Sequence, residues 1–240
     1  MEANHETVDT VLEAVLAETY SVVQEHELKE KLANSRRSGK PLRIKFGIDP
    51  TNPHIHIGHL VPCRKLRLFQ DLGHTAVIII GDYTAQIGDP TGRNKERTGL
   101  TAEEVQRNMA LYTEQLFTVV DGDRAEVRYQ SEWMQDVDLS ETMKLNSRFS
   151  VAHLLSHDTF RTRLDAGRRL SLHELMYPVL QAYDSVMVDA DMELGGSDQL
   201  FNCLCGRDLQ RGLGEDPQVV ITTPLLAGTD GDKMSKSLNN

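Results

Sequence analysis

The chain has little of several residue types, and each shortage excludes a class of protein. It holds 3 cysteines among 240 residues, Cys63, Cys203 and Cys205, and none forms a Cys-x-x-Cys pair. A disulfide framework and a zinc site are therefore not expected, and the thiols should be reduced and partly buried. The longest uninterrupted aliphatic run, residues 76–80, is far shorter than a membrane span.

Positive charge is also scarce. Lys and Arg number 26 against 36 Asp and Glu, and the net charge of −10 argues against a protein that coats a polyanion. A nucleic acid would have to dock on a local basic patch or on a part that this chain lacks. The first six residues are polar and acidic, so neither a secretory signal nor a transit peptide is expected. The composition predicts a soluble globular protein, with the cytosol as its default location.

Residues 42–80 predict one strand–helix–strand unit. Residues 42–48 alternate apolar and polar side chains, as a strand does, and Asp-Pro-Thr-Asn-Pro at 49–53 is a strong turn. A helix is predicted over 59–72, with Pro62 in its first turn. Residues 77–80 form a β-branched run typical of a parallel strand buried on both faces. The fold class expected is α/β, with a Rossmann-like parallel sheet.

In such a sheet, ligands bind beyond the carboxyl ends of the strands and near helix N-termini. That rule gathers Asp49, Thr51, His56, His59 and residues 81–84 around one crevice. The alternative, that these polar residues only cap strands and helices, stays open from topology alone.

Elsewhere the pattern predicts mainly helices, two of them opened by capping boxes at Thr101 with Glu104 and at Ser171 with Glu174. Helices are predicted over 8–32 (as one or two), 101–120, 139–164 (in pieces), 171–184 and 197–213, strands over 125–130, 185–189 and 217–223, and loops over 36–41 and 88–97. The middle third, about 120–185, is expected to be a helical insertion into the sheet that would also suit a dimer contact.

Two short strings carry chemistry. His-Ile-Gly-His at 56–59 offers two imidazoles, and Lys-Met-Ser-Lys-Ser at 233–237 offers two ammonium groups on a small-residue loop. Both kinds of donor stabilise negative charge that builds on the phosphates of a nucleotide. Each string taken alone is also compatible with an ordinary surface loop.

Polar residues in the second half could hold a substrate. Tyr177, Gln181 and Asp184 share one face of the predicted helix. By periodicity alone, an amphipathic helix with a solvated polar face explains them equally well. Residues 193–199 predict a glycine-bracketed turn entering a helix, where Asp198 and Gln199 could either cap the helix or contact a ligand.

Six blocks in one order give the chain a family resemblance. They are Gly-Ile-Asp-Pro-Thr at 47–51, His-Ile-Gly-His at 56–59, Ile-Gly-Asp-Pro-Thr-Gly at 87–92, Leu-Gln-Ala-Tyr-Asp at 180–184, Gly-Gly-Ser-Asp-Gln at 195–199 and Lys-Met-Ser-Lys-Ser at 233–237. From about residue 42 onward the chain resembles the bacterial tyrosyl-tRNA synthetases. The fourth and fifth blocks point to tyrosine and away from the tryptophan relative. The resemblance implies a class I synthetase core of the HUP type that uses ATP and Mg²⁺ to form tyrosyl-adenylate and then charges tRNA(Tyr), as a homodimer.

The resemblance also implies a role for each site residue. For tyrosine binding it implies Asp49, Asp89, Tyr177, Gln181, Asp184 and Gln199; Asp184 would accept a hydrogen bond from the phenol, and Tyr177, Gln181 and Asp89 would hold the α-ammonium. For catalysis it implies Thr51, His56, His59, Lys233 and Lys236. For ATP binding it implies Gly58, Arg93, Arg97, Asp198, Lys233 and Lys236, with no protein residue assigned as a metal ligand.

Two departures from the family pattern matter. Many members have a tyrosine at the position of Lys45 that also contacts the phenol oxygen, so that second contact is in doubt here. Family members also continue past the Lys-Met-Ser-Lys-Ser loop into a basic anticodon-binding domain, whereas this chain ends at Asn240. We therefore expect one catalytic domain over 1–240, opened by a helical segment of about 40 residues, with weakened tRNA charging.

Two other functions remain as alternatives. A non-catalytic relative could bind tyrosine or RNA as a sensor. A small-metabolite adenylyltransferase shares the His-x-Gly-His element, but it gives no reason for Gln181, Asp184 or the block at 195–199.

Overall fold

The computed structural model describes residues 7–91, 100–234 and 240. The strands are β1 (Ser21–Val23), β2 (Arg43–Ile48), β3 (Thr75–Ile80), β4 (Ala125–Tyr129), β5 (Met192–Gly196) and β6 (Val219–Thr223). The helices are α1 (Val8–Leu16), α2 (Glu25–Ser38), α3 (Ile57–Asp71), α4 (Thr84–Ile87), α5 (Ala102–Leu116), α6 (Ser131–Met134), α7 (Leu139–Asn146), α8 (Val151–Leu155), α9 (Asp158–Asp165), α10 (Leu172–Met187) and α11 (Leu200–Leu213). None of the described helices is long and apolar enough to cross a membrane.

The six strands form one sheet in the order β1-β6-β5-β2-β3-β4. Five strands are parallel, and β1 joins the edge antiparallel to β6. From β2 the chain proceeds to β3 and β4 on one side and later to β5 and β6 on the other. The topological switch point therefore lies between β2 and β5, where a ligand crevice is expected in an open α/β sheet.

The strand–helix–strand unit predicted from the sequence is confirmed. β2, α3 and β3 follow in order, and β2 pairs in parallel with β3 from Arg43 opposite Thr75 to Ile48 opposite Ile80. The buried faces of these strands pack against α3 through residues such as Leu66 and Phe69. Both capping boxes are also present, at the starts of α5 and α10. The α/β fold class with a mainly parallel sheet is thus confirmed.

Several local predictions are wrong. Residues 185–187, predicted as part of a strand, are the last turn of α10, and the strand that follows is β5 at Met192–Gly196, where a turn was predicted. β5 is stabilised by pairing with a neighbour on each side, which overrides the turn preference of its two glycines. The short strand β1 was not predicted. Of the loop predicted at 36–41, residues 36–38 instead continue α2 to its glycine cap.

The segment between β4 and β5 consists of the five helices α6–α10. The helical insertion predicted over about 120–185 stays a prediction. The dimer contact predicted for it stays a prediction.

The N-terminal helix α1 is fastened to α3 through a buried lysine. Lys65 on α3 is 7% exposed and donates through Nζ to the carbonyl oxygens of Val15, at 2.9 Å, and Ala17. These carbonyls lie at the end of α1, where backbone acceptors lack helical partners. Val15 itself is fully buried in the core formed by the sheet and α3.

Candidate active site

A cavity of about 530 Å³ lies at the carboxyl ends of the parallel strands. Asp49 follows β2, Gly81 follows β3 and Asp198 follows β5, and all three line the cavity. Of the fifteen residues predicted for the site, those that line it are Asp49, Thr51, His56, Gly58, His59, Asp89, Tyr177, Gln181, Asp184, Asp198, Gln199 and Lys233. The other three, Arg93, Arg97 and Lys236, lie outside the described residues. The structure therefore gathers into one cavity residues that are far apart in the sequence.

The two imidazoles come from the start of α3. His56 is the N-cap, and its Nδ1 accepts a hydrogen bond from the Gly58 backbone N–H at 3.1 Å. Because Nδ1 is an acceptor in this bond, a neutral His56 carries its proton on Nε2 and has a donor to offer. The His59 ring lies against that of His56, with their centroids 3.9 Å apart. The helix N-terminus adds a positive electrostatic end, which suits an anion.

The structure corrects the start of this helix. α3 begins at Ile57, two residues before the predicted start, because His56 and not a later residue caps it. Pro62 is then its sixth residue and lies in the second turn. Its missing N–H leaves the carbonyl of Gly58 without the usual helical bond. Gly58 is also sterically required, since a Cβ there would lie 2.9 Å from the His56 ring.

The ammonium of Lys233 reaches the cavity from the last described loop. Its Nζ lies 2.5 Å from Oδ2 of Asp198, and the Lys233 side chain is 51% exposed. The loop doubles back through a bridge between Lys233 and Ala227, and the Met234 N–H donates to the Leu226 carbonyl at 2.9 Å. His56, His59, Asp198 and Lys233 make up what we call the open end of the cavity.

Asp49 lies in the middle of the cavity. Its two carboxylate oxygens accept hydrogen bonds from the Thr84 hydroxyl at 2.6 Å and the Tyr177 hydroxyl at 2.9 Å. Gly81 leaves the space for this arrangement, because a Cβ there would lie 2.1 Å from Asp49 Oδ1 and 2.3 Å from Thr84 Oγ1. The carboxylate is therefore held by side chains from the start of α4 and from α10.

Asp184 is a buried carboxylate at the other end. It is 2% exposed, and it accepts hydrogen bonds from Gln130 Nε2 at 2.7 Å and Trp133 Nε1 at 3.2 Å. Burial raises the pKa of Asp184 to about 7, against the lowering effect of Lys45 and of the two hydrogen bonds. We call the part of the cavity lined by Gln130, Gln181, Asp184 and Glu193 the buried end.

The polar side of α10 is not the solvated face that periodicity alone allowed. Tyr177 and Asp184 are 6% and 2% exposed, and both contact other polar side chains. Glu174, at the start of the helix, is likewise buried, and its Oε1 lies 2.5 Å from Nη1 of Arg163. The helix is therefore covered on its polar side by the cavity wall and the neighbouring elements.

A second polar group links the loop after α4 to the start of α11. Gln199 Nε2 donates to Asp89 Oδ2 at 2.8 Å, and Asn202 donates to Gln199 Oε1 at 3.1 Å. Asp89 also accepts from the Thr91 N–H at 2.8 Å. Asp198 and Gln199 thus contact side chains from other segments, which a local capping role does not explain.

Sequence reasoning assigned no role to Gln130 or Trp133, although both bind Asp184. Gln130 directly follows β4, so the rule that selected Asp49 at the end of β2 could have selected it as well. Trp133 gave no such signal. The described residues contain no group of three or more His, Cys, Asp and Glu side chains that could hold a metal ion. A divalent cation would fit here only as a companion of a phosphate ligand.

Comparison with known proteins identifies what the chain is similar to. The model of the class I tRNA synthetases for tryptophan and tyrosine matches residues 37–240. The chain is 52% identical over 234 residues to a tyrosine–tRNA ligase of Dehalococcoides mccartyi, covering 97% of this chain and 57% of that protein. It is 49% identical over 230 residues to that of Carboxydothermus hydrogenoformans, covering 95% and 56%. The chain therefore spans a little over half the length of these curated relatives.

Solved structures share the fold. A C-terminally truncated mitochondrial tyrosyl-tRNA synthetase from Coccidioides posadasii superposes with a TM-score of 0.77 at 26% identity, covering 96% of this chain and 70% of that chain. The tyrosyl-tRNA synthetase of Aeropyrum pernix gives a TM-score of 0.78 at 24% identity, covering 96% and 66%.

Proposed function

Since the chain belongs to the family of class I tRNA synthetases for tryptophan and tyrosine, we propose that it activates tyrosine with ATP to form tyrosyl-adenylate. One observation carries the proposal: imidazoles, a row of buried acceptors and an ammonium group line the same cavity. Such groups suit a reaction between an amino acid and a nucleoside triphosphate, in which an ammonium is bound and phosphate charge is stabilised. The high identity to two tyrosine–tRNA ligases supports the choice of tyrosine.

The buried end would select the amino acid. Asp184 is a strong acceptor in an environment that excludes water, so it suits the phenol O–H of tyrosine. Phenylalanine would leave this carboxylate without that partner, which is costly for a buried charged group. Asp89, Tyr177 and Gln181 would face the α-ammonium, with Asp49 and Gln199 alongside the amino acid.

The open end would stabilise charge on the nucleotide. A carboxylate oxygen of tyrosine attacks the α-phosphorus, a new P–O bond forms, and the bond to pyrophosphate breaks. No protein nucleophile is needed, so catalysis consists of positioning and charge stabilisation. Thr51, His56 and His59 would act on the transferring group, and Lys233 would bind the leaving pyrophosphate. Gly58 and Asp198 would lie beside the nucleotide. The pyrophosphate is also the proposed ligand of Arg93, Arg97 and Lys236.

Cofactors and partners follow from the same proposal. ATP would bring Mg²⁺, which would offset the negative charge of the phosphates. The second step would transfer tyrosine to tRNA(Tyr). In the relatives, the region beyond the matched part would help to bind this tRNA. A homodimer in the cytosol completes the proposal.

Tyrosine-dependent exchange of pyrophosphate into ATP tests the activity directly. We expect exchange with tyrosine and far less with phenylalanine or tryptophan. Tyrosine binding without exchange would indicate a sensor, and exchange that ignores tyrosine would indicate another adenylyltransferase. Either result would overturn the proposal.

A further inference from the structure

A buried ion pair lies at the buried end of the cavity, where its carboxylate belongs to the lining. Lys45 on β2 and Glu193 on β5 are opposite each other in the parallel register, and Lys45 Nζ is 2.9 Å from Glu193 Oε1. The two side chains are 0% and 1% exposed. A buried ion pair often adds little net stability compared with apolar residues of similar volume. A role other than stabilising the fold is therefore expected for this pair.

The pair holds one residue of α10 at two points. Lys45 Nζ donates to the backbone carbonyl of Gln181 at 2.8 Å and to the Ser185 hydroxyl at 2.7 Å. Together with Glu193, these partners use all three protons of the ammonium. Glu193 Oε1 in turn accepts a hydrogen bond from Gln181 Nε2 at 3.1 Å. Both the backbone and the side chain of Gln181 are thus tied to the same ion pair.

These bonds fix which end of the Gln181 amide faces Glu193. An ionised carboxylate only accepts hydrogen bonds, so the atom of Gln181 that faces Glu193 must be the NH₂ group. The carbonyl oxygen Oε1 must then point away from Glu193, and within the described part of the chain no donor bonds to it. Gln181 lines the cavity. The Oε1 of this cavity-lining amide is therefore left as an acceptor, which suits an ammonium group and does not suit a carboxylate.

Glu193 is itself kept in place from its other side. Its Oε2 accepts from Gln218 Nε2 at 2.5 Å and from the Ser185 hydroxyl at 3.4 Å. Gly206 on α11 leaves room for this network, since a Cβ there would lie 2.7 Å from both Gln218 Nε2 and Ser185 Oγ. The carboxylate is therefore held on one side by Gln218 and Ser185 and on the other by Lys45 and Gln181.

We infer that Lys45 and Glu193 are a positioning pair that fixes the amide of Gln181 so that the cavity selects ligands carrying an α-ammonium. The inference rests on the proposed function, because it assumes that tyrosine is the ligand. It gives Lys45 a role different from the phenol contact that the family's tyrosine makes at this position: Lys45 acts on the amino-acid end of the ligand, through Gln181.

The test compares two ligands that differ only in the amino group. Dissociation constants are measured for L-tyrosine and for 3-(4-hydroxyphenyl)propanoate, and their ratio reports selection of the ammonium. The double variant Lys45→Met with Glu193→Gln removes both charges at nearly constant volume. A neutral glutamine at 193 accepts either end of the Gln181 amide, so we expect the ratio to fall about tenfold or more. An effect transmitted through Asp184, whose pKa Lys45 lowers, acts on both ligands alike and cancels in the ratio.

A cycle with Gln181→Met tests whether the pair acts through Gln181. Gln181→Met alone should lower the ratio of dissociation constants about as much as the double variant does. Combining Gln181→Met with the double variant should change that ratio by less than about twofold further. Independent, additive losses would overturn the inference. So would a wild-type ratio in either the double variant or Gln181→Met.

Another buried ion pair among the described residues offers a matched control. Arg163 and Glu174 are 1% and 3% exposed, and Glu174 belongs to the same helix as Gln181 but does not line the cavity. Arg163→Met with Glu174→Gln should lower the melting temperature and leave the ligand ratio unchanged. If this control shifts the ratio as far as the test variant does, general loosening of α10 explains the effect and the inference is wrong.

Two further results keep the test decisive. If the double variant does not fold, Glu193→Asp keeps the charge pair but withdraws the carboxylate from Gln181, and it should lower the ratio severalfold; an unchanged ratio overturns the inference. If the wild-type chain binds neither ligand, the proposed function itself has failed. If it binds tyrosine and the variants keep its selectivity, only the positioning role has failed.

Discussion

The two ends of the cavity are built in opposite ways. At the buried end, Asp184 and Glu193 are almost wholly enclosed, and each accepts hydrogen bonds from fixed partners on several elements. At the open end, Lys233 is half exposed and pairs with a single carboxylate, that of Asp198. One end is enclosed and densely hydrogen-bonded, while the other is exposed.

The difference teaches which property each end can provide. A dry polar site discriminates strongly, because a ligand that lacks one partner leaves a buried group unpaired. An accessible charged site discriminates poorly but can follow charge as it moves between phosphate groups. We therefore expect variants at the open end to change rates and variants at the buried end to change ligand choice.

The largest expected effect is on the rate and comes from the open end. His59→Ala or Lys233→Ala should each slow pyrophosphate exchange by about 100-fold to 1,000-fold at saturating tyrosine, because a fixed donor to the transition state is lost. The dissociation constant of tyrosine should stay nearly unchanged. Lys29→Ala is the control, since Lys29 is a similarly exposed lysine that pairs with Asp9 far from the cavity. A parallel loss of tyrosine affinity would contradict the division between the ends.

The next effect is on selectivity and comes from the buried end. Asp184→Ala should narrow the preference for tyrosine over phenylalanine by roughly a hundredfold, since the acceptor for the phenol is removed. Exchange rates measured with each amino acid check this. Asp184→Asn keeps the shape and loses the charge, so its preference for tyrosine should lie between those of the wild type and the alanine variant. An unchanged preference in the alanine variant would clear Asp184 of this role.

Gly81 tests the middle of the cavity, where the ends meet. Gly81→Ala should lower the free energy of unfolding by about 1–3 kcal/mol, because the new Cβ displaces Asp49 and Thr84. Gly47→Ala is the matched control, since a Cβ there meets nothing within 4 Å. Thermal or urea unfolding measures both. Equal stability in the two variants would show that Asp49 moves freely.

The smallest expected effect is a pH dependence confined to the buried end. With the pKa of Asp184 near 7, tyrosine affinity should fall about tenfold between pH 8 and pH 6 as the carboxylate takes up a proton. Stability should change in the opposite direction. The folded chain binds this proton more tightly than the unfolded chain does, so stability falls as the pH rises from about 4 to 7. Asp184→Asn should remove both trends. Tyrosine affinity and the free energy of unfolding are measured against pH, and a wild type in which neither changes would contradict the prediction.

Much of the fold could be predicted because local and long-range preferences agree in it. The alternation in β2, the β-branched run in β3 and the two capping boxes each indicate the structure that forms. β5 and the end of α10 could not be read this way. Valines at 186 and 188 favour a strand and glycines at 195 and 196 favour a turn, yet helix continuation and pairing on both sides of β5 decide the outcome.

The candidate site could be predicted in its membership but not in its contacts. Polar residues at strand ends and motif blocks identified most of the side chains that line the cavity. The pairing of Lys45 with Glu193 depends on the register between β2 and β5, two strands separated by most of the chain. Nothing in the local sequence reveals that register, so the reason for a lysine at position 45 becomes visible only in three dimensions.

The bonds from Lys65 to the end of α1 have a consequence for where the protein can be cut. The family model matches residues 37–240, so α1 lies outside it. Deleting α1 would nevertheless strip an enclosed ammonium of its acceptors in the very helix whose first turn carries His56 and His59. The start of the family model is therefore not expected to be a boundary of cooperative folding, and an expression truncation placed at residue 37 should be insoluble or inactive even though it keeps every motif.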